Sequence, residues 1–154
     1  MAPLGMPGGM RPPLAYEFLF TPGRVTILTE ENLIRRIYTD GRPHSGDPDP
    51  TYAGESIGHW EGDTLVVDTT AITKKAQLLA GVNTSGNAHV VERIHLTDRE
   101  HLRIETVVED PSALLKPWQY HRTYERHDAV FIENICLDNN REMKSDEPDL
   151  TPPG

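Results

Sequence analysis

From Val25 to Cys136 the apolar positions recur mostly at every second residue, the spacing of side chains on one face of a β-strand, and Gly, Pro, Asp and Asn break the pattern at short intervals. Val25 to Glu30 and Leu33 to Tyr38 read as a hairpin turning near Glu31-Asn32 and ended by Asp40-Gly41. The following GRPHSGDPDP is loop, because proline cannot donate to a sheet ladder. IGHWEGDTLVVDT reads as strand, turn and strand, with Gly62 supplying the positive φ of a tight turn. Lys74 to Ala80 combines good helix formers and predicts a helix of at most about two turns. Asn83 to Asn87 is loop, and four strands follow: His89 to Leu96, Leu102 to Glu109, Trp118 to Arg126 and Val130 to Cys136. This spacing predicts an all-β, mainly antiparallel meander closed into a single β-barrel, lipocalin-like in shape, with one short helix and loose Pro-rich ends.

The ends differ from the middle. Residues 1–15 are rich in Pro and Gly and are expected as a flexible arm, residues 16–142 as the barrel domain, and residues 143–154 as an acidic, Pro-containing tail. A chain of 154 residues suits one domain. A net charge of −9, with only 15 Lys and Arg and no basic stripe longer than a pair, argues against nucleic acid and against an anionic membrane surface. No apolar run approaches the ~20 residues that span a bilayer. The opening residues show neither the basic nor the apolar region of an export signal, so none is expected there. Cys136 is the one cysteine, expected as a small buried hydrophobe.

Chemistry enters where polar residues fall on apolar faces. In Leu102 to Glu109 the division is clean, with Leu102, Ile104, Thr106 and Val108 on the dry side. Glu92 interrupts the face of Val90, Ile94 and Leu96, and Arg122 shares a face with Trp118, Tyr120 and Tyr124. In the last strand a one-residue slip decides whether Glu133 or Asn134 points inward. Unpaired burial of such charges costs several kcal/mol, so Glu92, Arg122 and Glu133 are expected to pair with one another or to line a polar cavity. Desolvation raises a carboxylate in an apolar pocket toward neutrality, which suits a general acid or base. Arg122 would then orient an anion. Tyr124 and Tyr38 would donate hydrogen bonds, and Trp60, Trp118 and Tyr120 would wall a ring-containing ligand. Asp68, beside Val66, is a further inward candidate, and His89 falls on the face opposite Glu92.

Several classes lose their signatures. No GxSxG, HExxH, GxGxxG or phosphate loop is present, and the spacing of His44, Asp47 and Asp49 matches no zinc or calcium motif, so neither metal nor cofactor is expected. The segments TPGRVTI, RRIYTDGRPH, SIGHWEGDTLVVDT, HVVER, VEDP, KPW and CLDNNRE, in that order, resemble a group of uncharacterised bacterial proteins, many of them predicted to be exported. The resemblance implies a secreted or periplasmic setting and no particular activity. Where that group carries an aromatic and an Asn after DT, this chain has Thr70-Ala71-Ile72. The leading expectation is a barrel enclosing a small ring-containing molecule, with cofactor-free acid/base chemistry of the hydrolase, lyase or isomerase kind. The alternatives are a non-catalytic carrier and an assembly module whose arms strap a homo-oligomer together.

Overall fold

The structure, a computed structural model, describes residues 5–10, 15–30, 33–79 and 81–128. Eight strands form one sheet in the order β1 (Tyr16–Thr21), β2 (Arg24–Thr29), β3 (Ile34–Tyr38), β4 (Glu55–Glu61), β5 (Thr64–Thr70), β8 (His89–Leu96), β9 (His101–Glu109) and β10 (Trp118–Glu125). A small hairpin of β6 (Gln77–Leu79) and β7 (Val82–Asn83) is inserted between β5 and β8. The expected hairpins are present, and Gly62 turns β4 into β5 at φ 60°. All neighbours in the large sheet run antiparallel except β3 and β4, which pair in parallel at Ile37–Ser56 and Tyr38–Ile57. A parallel pair needs a connection that carries the chain back along the sheet, and the Pro-rich loop of residues 39–54 is that connection.

The sheet curls into a half-barrel. Its two outer strands are β1 and β10, which share no backbone ladder among the described residues. The curl nevertheless brings the Tyr16 ring edge-on to Tyr124, with centroids 5.2 Å apart. The expected barrel is therefore expressed as a curled eight-stranded sheet. The expected strand from Val130 to Cys136, with Glu133, Asn134 and Cys136, lies outside the described residues, as does the tail.

Two expectations need correction. The short helix is not formed: Lys74 to Ala76 make a turn, closed by the Ala76 amide on the Thr73 carbonyl at 2.9 Å, and the chain enters β6 directly. Two turns of helix cannot repay the cost of nucleation on propensity alone, whereas the Ala76 carbonyl gains the Thr84 amide at 3.0 Å. The Pro/Gly-rich start is not wholly loose either. Within residues 5–10, Met6 and Met10 are buried in the main apolar cluster, and the Met6 amide bonds the Tyr52 carbonyl at 2.7 Å. Gly5 permits this approach: it has φ +69°, and a Cβ there would stand 2.8 Å from both the Ala76 Cβ and the Tyr52 carbonyl oxygen.

The concave face holds the core. Leu65, Val67 and Thr69 of β5 point inward, as do Val90, Glu92 and Ile94 of β8 and Ile104, Thr106 and Val108 of β9. The alternate residues, among them Val66, Asp68, Thr70 and His89, form the convex face.

Candidate functional site

The concave face carries a line of polar groups through its apolar core. Arg35 of β3 and Glu92 of β8 form an ion pair although β4 and β5 lie between their strands. At ~4.8 Å per strand the gap is wide for one side chain, and the curl together with two hydroxyls bridges it. Arg35 donates from Nε to Ser56 Oγ of β4 at 3.3 Å and from Nη2 to Thr69 Oγ1 of β5 at 2.9 Å, and the two hydroxyls meet at 2.8 Å. Arg35 is 0% exposed and Glu92 1%. The buried Nη1 of Arg35 finds no partner among the described residues.

Along β10 the inward face presents Trp118, Tyr120, Arg122 and Tyr124 in succession. Trp118 lies against Tyr120, with centroids 4.3 Å apart, and the Arg122 guanidinium rests over the Tyr120 ring at 4.6 Å. Burial pushes the Tyr120 phenol up to about 12, with the Arg122 charge pulling the other way and the Glu92 charge adding to the rise. Burial likewise raises Tyr124, against the pull of Arg122. Both phenols remain protonated donors near neutral pH. Arg122 and the Tyr124 hydroxyl both donate to the Met10 carbonyl oxygen, the latter at 2.7 Å.

Beyond this clamp, at the end of the half-barrel where the β4–β5 and β8–β9 turns lie, opens a cleft of about 1380 Å³. Its walls include Tyr16, Phe18, Leu102, Ile104 and Tyr124, and Met10 lies on its floor. Phe20 and Trp60 both line it and form a tilted ring pair with centroids 6.4 Å apart, and they are 66% and 50% exposed.

The convex face has a second cluster. Each oxygen of Asp68 meets a histidine: Oδ1 lies 2.9 Å from His44 Nε2, and Oδ2 lies 3.0 Å from His89 Nε2. The far nitrogen of His44 is 3.2 Å from Glu55 and 3.3 Å from the Thr70 hydroxyl, and that of His89 is 3.7 Å from Glu109. Burial pushes the Asp68 carboxyl up, but the hydrogen bonds and charges of His89 and His44 outweigh it and hold the group below its ordinary value. Glu55 is lowered chiefly by the Ser45 hydroxyl, against the effect of burial and with help from the Ser45 amide and His44. His44 lies between two carboxylates, Asp68 on β5 and Glu55 on β4, and these contacts clip the Pro-rich loop to the sheet. Among the described residues no group of three or more His, Cys, Asp or Glu is arranged to hold a metal ion, and no helix is long and apolar enough to cross a membrane.

The expected site is thus redistributed. Glu92, Arg122, Tyr120, Tyr124 and Trp118 all face the hollow, but Glu92 pairs with Arg35 rather than with Arg122. Trp60 lines the cleft, at the far end from Trp118. Asp68 does not face inward: it shares the outer face with Val66, and there it meets His89. Tyr38 also faces out, because Arg35 and Ile37 take the inner positions of β3, and its ring packs under Arg42 at 3.9 Å. Glu133 lies outside the described residues. Arg35 was missed, although it alternates with Leu33 and Ile37 and so falls on an apolar face. Met10 and His44 offered no comparable sign, since neither lies on a strand. Compared with known proteins, the chain matches no family model, no curated sequence and no solved structure.

Proposed function

We propose that this chain binds a small, ring-containing organic molecule in the cleft of its half-barrel and acts as a carrier rather than as a catalyst. One observation carries the reading: an open cleft of about 1380 Å³ walled by aromatic and aliphatic side chains, with Phe20 and Trp60 left largely uncovered. Soluble proteins rarely leave such large apolar groups together in a concavity without a ligand to cover them. The volume exceeds the ~300–1,000 Å³ usual for compact ligands and suits an extended one.

Binding is favoured over acid/base chemistry because the concave carboxylate is already committed. Glu92 is held by Arg35, which the Ser56 and Thr69 hydroxyls anchor in turn, away from the cleft walls. The Tyr16–Tyr124 contact across the seam supports the finer reading that the curl completes a barrel around the ligand.

The test uses N-phenyl-1-naphthylamine, a neutral dye whose emission rises on entering apolar surroundings. Wild type is expected to bind it saturably, with Trp60→Ala and Phe20→Ala each weakening binding by about fivefold, the value of one aromatic contact. Trp118→Phe, away from the cleft, is expected to leave it unchanged. Equal binding by wild type, Trp60→Ala and Phe20→Ala overturns the reading.

A further inference from the structure

Two donors converge on the carbonyl oxygen of Met10, which lines the cleft together with Tyr124, while Arg122 lies behind them and outside the lining. Arg122 and the Tyr124 hydroxyl both bond the Met10 carbonyl, which lies outside any strand. Tyr124 is braced from the side by the Tyr16 ring, and the Arg122 guanidinium is backed by the Tyr120 ring. Both donors are therefore held in place by packing and do not depend on the acceptor to orient them.

The charge on the concave face is also out of balance. Its described side chains include two guanidiniums, Arg35 and Arg122, against the single carboxylate of Glu92. Glu92 answers Arg35 only in part, since the buried Nη1 of Arg35 is left without a partner. Arg122 has no carboxylate within ion-pairing distance among the described residues. A protein that is acidic overall, with a net charge of −9, thus carries an excess positive charge beneath its apolar cleft. A partly buried cation is costly unless an anion meets it.

We propose that Arg122 and Tyr124 form a carboxylate subsite at the floor of the cleft, that the Met10 carbonyl fills it in the present state, and that the ligand is an amphipathic organic acid. The proposal rests on the cleft being a ligand site. The acid's carboxylate replaces the Met10 oxygen, and its ring or chain lies along Tyr16, Leu102 and Ile104 toward Trp60. The exchange is favourable because a carboxylate brings a full negative charge and a bidentate acceptor to the guanidinium, where the carbonyl offers only a dipole. The Met10 segment is then an internal stand-in, displaced by ligand.

The experiment compares naphthalene-2-carboxylate with its neutral isostere naphthalene-2-carboxamide by calorimetric titration. Wild type is expected to prefer the carboxylate by about tenfold. Arg122→Gln should abolish that preference while keeping amide binding, Tyr124→Phe should reduce it, and Arg122→Lys should restore part of it. Circular dichroism melts identify any variant that fails to fold, and Tyr124→Phe, which removes one oxygen, serves if Arg122→Gln does not. Equal affinity for the two compounds in wild type, or a preference that survives both Arg122→Gln and Tyr124→Phe, overturns the subsite. If the neutral dye still binds while that preference is absent, only the subsite falls. If wild type takes up neither dye, amide nor carboxylate, the cleft reading falls with it.

Discussion

Glu92 and Asp68 belong to successive rungs of one ladder, Val67–Glu92 and Asp68–Val91, yet they live in different solvents. The period of two sends Glu92 to the concave face and Asp68 to the convex one. Glu92 is buried against Arg35, whose guanidinium also bonds two hydroxyls, whereas the Asp68 side chain is 40% exposed between two histidines. The same chemical group therefore has two different roles. Inside, the carboxylate must keep its cation permanently, because water cannot replace it. Outside, water competes with each histidine, so the cluster can loosen without breaking the sheet. The two positive charges on the concave face also differ in their partners. Glu92 and Arg35 neutralise each other across the two strands between them, while Arg122 bonds the Met10 carbonyl and meets no carboxylate among the described residues.

The largest effect should come from breaking the inner pair on one side. Arg35→Met removes the cation and leaves Glu92 buried, a change expected to cost about 3–5 kcal/mol because it strands a charge. Against a typical domain stability of roughly 5–15 kcal/mol this is a severe loss. The double variant Arg35→Met with Glu92→Leu should recover most of it, since replacing a buried pair by apolar residues of similar volume is often neutral. Urea unfolding of wild type, both single variants and the double variant closes the cycle and measures the coupling directly. A single-variant cost below about 1 kcal/mol would show that Glu92 reaches water, and the contrast between the faces would collapse.

How far this was legible in the chain follows from the same alternation. Strands β2 to β5 and β8 to β10 announce themselves because one face is dry, so apolar residues mark every second position and even place Glu92 and Arg122 correctly. Arg35 carried the same signal in LIRRIY, but a pair of adjacent arginines resembles a solvated charge run unless parity is followed through it. Strand β1, with Tyr16, Phe18 and Phe20 alternating, was hidden by the Pro/Gly-rich residues before it. The partners of Asp68 were not readable at all. His44 arrives from a loop 24 residues away, and no local period encodes where a loop lands. Burial of Met6 and Met10 is of the same kind: composition argued for a loose end, and tertiary packing against Tyr52 and the core overrode it. Asp68 itself was misplaced because LVVDT has apolar residues at consecutive positions, so its parity is ambiguous until Leu65 and Val67 are seen to take the core.

A smaller perturbation tests the outer half of the comparison. Asp68→Asn keeps the shape of the side chain but removes the charge shared by His44 and His89, and at a half-exposed site the expected cost at pH 7 is about 1 kcal/mol. The pH dependence has a definite sign. Asp68 is lowered in the folded protein, so at low pH the unfolded chain binds the extra proton. Its stabilisation is complete above the ordinary aspartate value of ~3.9 and is lost as pH falls through the lower folded value. Glu55 is lowered too and adds to the same acid limb, while His44, His89, Glu109 and the Thr70 hydroxyl complete the surroundings of the cluster. Melting temperature between pH 5 and 2.5 should therefore fall less steeply in Asp68→Asn than in wild type. Salt should narrow the difference between the two proteins at pH 7, because half-exposed charges are screened within ~10 Å at 0.1 M, whereas the cost of Arg35→Met should hardly change. Superimposed acid limbs for wild type and Asp68→Asn would mean that the histidines are held by packing alone and that the convex carboxylate contributes nothing to the clip.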